Sequence, residues 1–160
     1  MARRERENPN NMSAYKRILV AVDGSDAGTR GLREAVRLAK SGGAQLVIVH
    51  VVSEFFSYVY SESAGLDADR MAALRAEGQR VLDAARALAA RQGVKAKAVL
   101  RETVGGPAAD PVLREAKKQR AELIVLGTHG RRGLRRLVLG SDAEQIVRAS
   151  PVPVLLVRAP

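Results

Sequence analysis

Leu123-Ile124-Val125-Leu126-Gly127-Thr128-His129-Gly130-Arg131-Arg132-Gly133-Leu134-Arg135-Arg136-Leu137-Val138-Leu139-Gly140-Ser141 runs from an apolar strand through a glycine-punctuated loop into a segment with Ala143, Ile146 and Val147 at helical spacing. Glycines let the backbone approach a ligand closely, and the unpaired N–H groups of a helix N-terminus attract anions. Arg131, Arg132, Arg135 and Arg136 add positive charge to the same loop. The stretch therefore reads as a phosphate-binding loop leading into a helix opened by Gly140-Ser141, with Ser141 as a capping residue.

The rest of the chain bounds what such a loop can serve. A length of 160 residues fits one domain. There are no cysteines, so disulfides, thiolate metal sites and cysteine nucleophiles are excluded. No apolar run approaches a membrane span, and Met1 to Lys16 lacks the apolar core of a secretory signal. A soluble, cytoplasmic protein is expected. Of the formal charge of +10, the N-terminal segment to Arg17 contributes +3 and the four loop arginines +4. A basic excess can indicate nucleic acid. Here aromatic residues are scarce and no helix carries a one-sided basic stripe, so nucleic acid is not the expected partner.

Working outward, residues 1–14 read as a disordered basic arm and 15–160 as the folded domain. Ile18-Leu19-Val20-Ala21-Val22 is a continuous apolar strand ending at Asp23-Gly24-Ser25-Asp26. Asp26 is the expected N-cap of a helix carrying Leu32, Ala35, Val36 and Ala39. A second buried strand covers Leu46–Val52. Residues 53–65, with Phe55, Phe56, Tyr58 and Tyr60, read as a long loop or lid. A helix follows from about Asp67 to Arg91. Lys95–Arg101 alternates polar and apolar and reads as an edge strand. Pro107 is placed at the start of the next helix. Val152–Val157 contains Pro153, which cannot donate to a ladder, and reads as the other edge.

Strands alternating with helices imply a parallel sheet with helices on both faces. Central strands one, two and four, edge strands three and five and right-handed crossovers give the order 3-2-1-4-5. The chain then reverses direction between strands one and four, and ligands bind beyond the carboxyl ends at such a point. Asp23 and the Gly127 loop meet there.

Competing chemistries lack their residues. There is no Gly-Lys-Ser/Thr P-loop and no G-x-G-x-x-G after strand one. No Gly-x-Ser-x-Gly elbow surrounds Ser141, and no acid–base pair emerges, so no catalytic residue is assigned. His50 reads as a satisfied core histidine, whereas His129 lies in the loop and can contact phosphate. Two distant histidines do not make a metal cluster.

Four segments together resemble the universal stress protein family. They are Lys16-Arg17-Ile18-Leu19-Val20-Ala21-Val22-Asp23-Gly24-Ser25, Gly105-Gly106-Pro107-Ala108, the pattern Gly127-x2-Gly130-x9-Gly140-Ser141, and Ser150-Pro151-Val152-Pro153-Val154-Leu155-Leu156-Val157. The resemblance implies a Rossmann-like, adenine nucleotide alpha hydrolase-like fold that binds ATP. By position, Asp23 would meet the ribose, Ala21 and Val22 would line that region, and Val51 would meet the adenine. Gly127, Gly130, Gly140 and Ser141 would cradle the phosphates, with Mg²⁺ held mainly by phosphate oxygens. Leu126, His129, Arg131 and Asp142 complete the candidate set. The resemblance further implies a homodimer built partly through Val152–Val157, and at most weak ATP hydrolysis. Asp142 departs from the small or apolar residue that ATP-binding relatives often carry. Its carboxylate suits an empty helix N-terminus but repels a triphosphate unless it faces Mg²⁺ or turns away. The alternative is an interaction module that uses the loop arginines on a protein or nucleic acid, with nucleotide incidental.

Overall fold

The computed structural model describes residues 14–53, 64–128 and 139–158. In chain order it contains β1 (Arg17–Ala21), α1 (Asp26–Gly42), β2 (Gln45–Ser53), α2 (Ala64–Arg91), β3 (Ala96–Thr103), α3 (Ala109–Lys118), β4 (Leu123–Gly127), α4 (Ser141–Ala149) and β5 (Val154–Val157). The strands form one sheet in the order β3-β2-β1-β4-β5, every neighbouring pair parallel. The order expected from strand apolarity is the one found. The lid expected over residues 53–65 falls, from 54 to 63, outside the described residues.

Strand alternation divides the core into two layers. Ile18 and Val20 of β1, Leu46 and Ile48 of β2, and Leu123 and Val125 of β4 face α1 and α2. Leu19, Val47, Val49, Ile124 and Leu126 face α3 and α4. Register stacks the layers: Val20 lies opposite Ile48 on one side and Val125 on the other. Because both faces are covered, the central strands carry continuous apolar runs, Ile18–Ala21, Leu46–Val49 and Leu123–Leu126.

Several boundaries differ from the sequence reading by one to three residues, and three of them bear on the site. Ser25, not Asp26, is the N-cap of α1: it is extended (φ −76°, ψ 164°) and its hydroxyl accepts from the Gly28 N–H. Asp26 is the first helical residue, where its charge still suits the dipole. Helix α3 begins at Ala109, with Ala108 as N-cap and Pro107 just outside. Strand β5 begins at Val154, because Ser150 engages both the N–H and the carbonyl of Val152 locally. As expected, Gly43 closes α1 in the left-handed region (φ 65°).

Strand β3 is an edge, yet both its faces are covered. Ala96, Ala98 and Leu100 pack on the α1/α2 layer, while Val99 is buried in the other. Arg101, on the polar side of that alternation, reaches α3. Its Nε donates to Glu115 Oε2 at 2.8 Å, and Gln119 Nε2 donates to Glu115 Oε1 at 2.5 Å. Glu115 is only 2% exposed. Burial works to raise its pKa, but the hydrogen bonds from Gln119 and Arg101 and the charges of Arg101 and Lys118 outweigh it and hold the carboxyl below its ordinary value.

A carboxyl depressed in the folded state stabilises above its unfolded pKa and loses that contribution as pH falls through its folded pKa. Glu115→Gln is therefore expected to lower stability by about 2 kcal/mol at pH 7. The deficit should shrink as the pH falls below the unfolded value of about 4.3. Urea denaturation of both proteins across this range checks the sign.

Candidate functional site

The site forms where β1 and β4 end side by side. Asp23 follows β1 and folds back on its own turn. Its Oδ1 accepts from the Ser25 N–H at 3.0 Å and from the Ser25 hydroxyl at 2.6 Å. That hydroxyl in turn accepts from Gly28 N–H at 3.0 Å. The chain of bonds fixes the Asp23 carboxylate against the first turn of α1. Gly28 leaves the room: a Cβ there would stand 2.5 Å from Asp23 Oδ1.

Helix α1 then lies directly on the end of β4. A Cβ at Gly127 would stand 2.5 Å from the Ala27 carbonyl oxygen and 2.7 Å from Gly28 N. A Cβ at Gly31 would stand 3.1 Å from Gly127 N. Gly127 is thus required by packing, before any ligand is considered. Gly28 and Gly31, absent from the sequence-based candidates, shape the candidate site by packing. Their signal was a four-residue glycine-containing turn, Gly28-Thr29-Arg30-Gly31, on the face of α1 that carries Leu32 and Ala35.

Beyond β4, Thr128 is 8% exposed and carries two backbone bonds. Its N–H donates to Val157 O at 3.0 Å, and its carbonyl accepts from Gly140 N–H at 3.2 Å. The second bond pins together the two ends of the loop. His129, Gly130 and Arg131, assigned to the site from sequence, lie outside the described residues. Gly140 is the N-cap of α4 (φ −59°, ψ 145°) and supplies no side-chain cap. Ser141 is therefore the first helical residue rather than the cap. The first-turn amides of α4 have no intrahelical acceptor. Among the described residues, a Cβ at Gly140 would meet nothing closer than Thr128 O at 3.9 Å, so their packing does not require this glycine.

Asp142 turns sideways. Its Oδ1 accepts from the Ala108 N–H at 2.9 Å, across the gap between α4 and the N-terminus of α3. Its carboxylate is thereby tied to a neighbouring helix.

The apolar candidates divide between the faces of the sheet. Ala21, Val51 and Leu126 lie at the carboxyl ends of β1, β2 and β4 on the α3/α4 face. Leu126 is buried there, and Ala21 and Val51 are half-buried. The Val22 side chain belongs to the opposite layer. Its backbone is spoken for: the N–H donates to Val49 O at 2.9 Å, and the carbonyl lies 2.7 Å from His50 Nδ1. A carbonyl only accepts, so Nδ1 carries the proton. His50 is the satisfied core histidine expected.

On the face where Val22 points, a cavity of about 420 Å³ opens between α1 and α2, lined by Leu32, Val81, Ala85 and Leu88 among others. Its lining includes no residue of α4. Among the described residues no cluster of His, Asp or Glu could hold a metal ion. No described helix is long and apolar enough to cross a membrane.

Comparison with known proteins agrees with this fold. The model of the universal stress protein family matches residues 14–158. The universal stress protein MJ0531 of Methanocaldococcus jannaschii is 34% identical over 153 residues, covering 94% of this chain and 86% of the relative. A crystal structure from the same family, from Burkholderia pseudomallei, is 38% identical with a TM-score of 0.70, covering 91% of this chain and 97% of that one. A universal stress protein solved in complex with cAMP is 27% identical with a TM-score of 0.64, covering 91% and 98%.

The two glycines that bracket the loop should respond oppositely to substitution. Gly127→Ala forces a Cβ into the α1 backbone and is expected to cost about 1–3 kcal/mol. Gly140→Ser places a good N-cap residue in open space and should change ligand-free stability by less than about 0.5 kcal/mol. Chemical denaturation of both variants checks this contrast.

Proposed function

This chain belongs to the universal stress protein family, and on that footing we propose that it binds an adenine nucleotide, ATP with Mg²⁺, between Asp23 and the N-terminus of α4. One observation carries the reading. The amides that open α4 lack a side-chain cap, at the point where β1 and β4 diverge. A helix N-terminus of this kind, beside a glycine without a packing duty, suits phosphate oxygens. The Gly140 and Ser141 backbone is assigned to them. From the sequence pattern, Gly127, His129, Gly130 and Arg131 are assigned to the same phosphates.

The Asp23 carboxylate, held by Ser25, is assigned to a ribose hydroxyl, which would donate to it. Ala21, Val51 and Leu126 offer an apolar wall on one face of the sheet, and the adenine is assigned there. The Val22 side chain lies in the other layer and is not assigned to the adenine wall. Mg²⁺ is assigned mainly to the phosphate oxygens. The cAMP complex of a relative supports the adenine nucleotide class. The bound nucleotide acts here as a regulatory ligand of a stress-response protein.

The outer edge of β5 supports a second element of the proposal. Val154–Val157 is half-buried, and among the described residues β5 pairs only with β4. A free strand edge is a template for another copy, so a homodimer through β5 is proposed.

Thermal unfolding tests the ligand. Mg-ATP at a hundred times its dissociation constant should stabilise by about 2.7 kcal/mol, which is roughly 5–10 °C in Tm for a domain of this size. Gly140→Val should abolish the shift while leaving the ligand-free Tm close to wild type. No shift at millimolar Mg-ATP refutes the proposal. For the dimer, Leu155→Glu puts a charge on the edge strand and should halve the mass seen by light scattering; an unchanged dimer rejects β5 as the interface.

A further inference from the structure

Asp142 stands one residue past Ser141, on the turn of α4 assigned to the nucleotide phosphates. A carboxylate in that position opposes a second anion. At a partly exposed helix N-terminus such charge effects are worth up to about 1 kcal/mol, or roughly five-fold in affinity. The described structure shows where the charge goes. Asp142 Oδ1 accepts the Ala108 N–H at 2.9 Å.

Ala108 is the N-cap of α3, and its side chain makes no capping bond. The positive end of α3 is therefore served by a carboxylate borrowed from another helix. Asp142 thus lies between two helix N-termini, and its hydrogen bond is made to α3. The segment that presents Ala108 is Gly105-Gly106-Pro107. Gly105 sits in the left-handed region (φ 65°), a conformation that fixes the approach of this turn.

We infer that the Asp142–Ala108 hydrogen bond is a positioning device for the nucleotide site: it parks a carboxylate on α3 and so keeps negative charge away from the phosphate position on α4. Asp142 is accordingly a positioning residue, not a ligand of nucleotide or Mg²⁺. The same bond couples the β3–α3 turn to nucleotide affinity, because anything that withdraws the Ala108 N–H releases the charge toward the phosphates. This inference rests on the proposed binding of nucleotide phosphates at α4.

A double-mutant cycle tests it, with Mg-ATP as probe in isothermal titration calorimetry. Ala108→Pro removes the N–H donor at a backbone φ of −68°, which proline adopts, and leaves Asp142 charged. It is expected to weaken Mg-ATP binding about five-fold, with the loss shrinking as salt is raised. Asp142→Asn keeps an acceptor for the Ala108 N–H but removes the charge, and should bind within about two-fold of wild type.

The double variant is the deciding protein. It retains any damage that proline does to the turn but lacks the released charge, so it should recover wild-type affinity. A double variant as weak as Ala108→Pro overturns the inference. So does an Asp142→Asn variant that binds five-fold or more weakly, which would make the carboxylate a direct ligand. Equal affinity of Ala108→Pro and wild type also overturns it. A wild-type protein that binds no Mg-ATP refutes the proposed function itself, which distinguishes that failure from the other three.

Discussion

Helix α1 rests on the end of β4 with backbone against backbone. No Cβ at Gly127 stands between the strand and Ala27-Gly28, and none at Gly31 holds the helix away from Gly127. The rest of the site depends on this approach. It brings the first turn of α1 beside the last residues of β4, so Ser25 and the Asp23 it holds sit next to the chain leading into Thr128. A side chain at Gly127 would lift the helix off the strand or shift the strand in the sheet. Either movement separates the β1 turn from the loop that the site requires. The approach also explains why α1 can bury Ala35, Val36 and Ala39 against the centre of the sheet, where small residues permit close layer packing.

Around this contact the two halves of the site are braced differently. Asp23 is held within a few residues of chain, by an N-cap serine and a glycine that makes room for the carboxylate. The α4 side is held over long range. Thr128 bonds to Val157 and Gly140, and Asp142 bonds to Ala108. Strand β5, the β3–α3 turn and α4 therefore converge on the positive end of one short helix. A ligand that bridges Asp23 and α4 would draw on local and distant parts of the fold together.

The sheet order was legible because burial leaves a mark on composition. Strands covered on both faces and flanked by neighbours carry continuous apolar runs, and Ile18–Ala21, Leu46–Val49 and Leu123–Leu126 are such runs. The switch point follows from that order and brings Asp23 to the glycine loop, which is legible independently from its glycines. Other features leave no such mark. Glu115 looks like any solvent-facing acid on a helix, and only its three-dimensional neighbours Arg101 and Gln119 make it a core residue. Ser25 and Asp26 are both good caps, and one pair of backbone angles decides between them. Gly127 and Gly140 read alike in sequence as phosphate glycines, yet packing requires the first and not the second. Asp142 could be flagged from sequence as a misplaced charge, but its acceptor role toward Ala108 joins residues 34 positions apart. Val22 and Ala21 are adjacent in sequence and point to opposite layers, a distinction that strand alternation already contained.

Nucleotide phosphates are proposed to bind where α4 opens, opposite Asp23. Backbone amide chemical shifts followed during titration with Mg-ATP test this most directly, since each residue reports for itself. Saturable shifts are expected at Gly140, Ser141, Asp142 and Ala143 together with Asp23, Gly24 and Ser25, while the α2 residues that line the α1/α2 cavity, such as Arg80, Val81 and Leu88, stay unmoved. Saturable shifts confined to that α1/α2 cavity, or no shift at the start of α4 at saturating Mg-ATP, would contradict it.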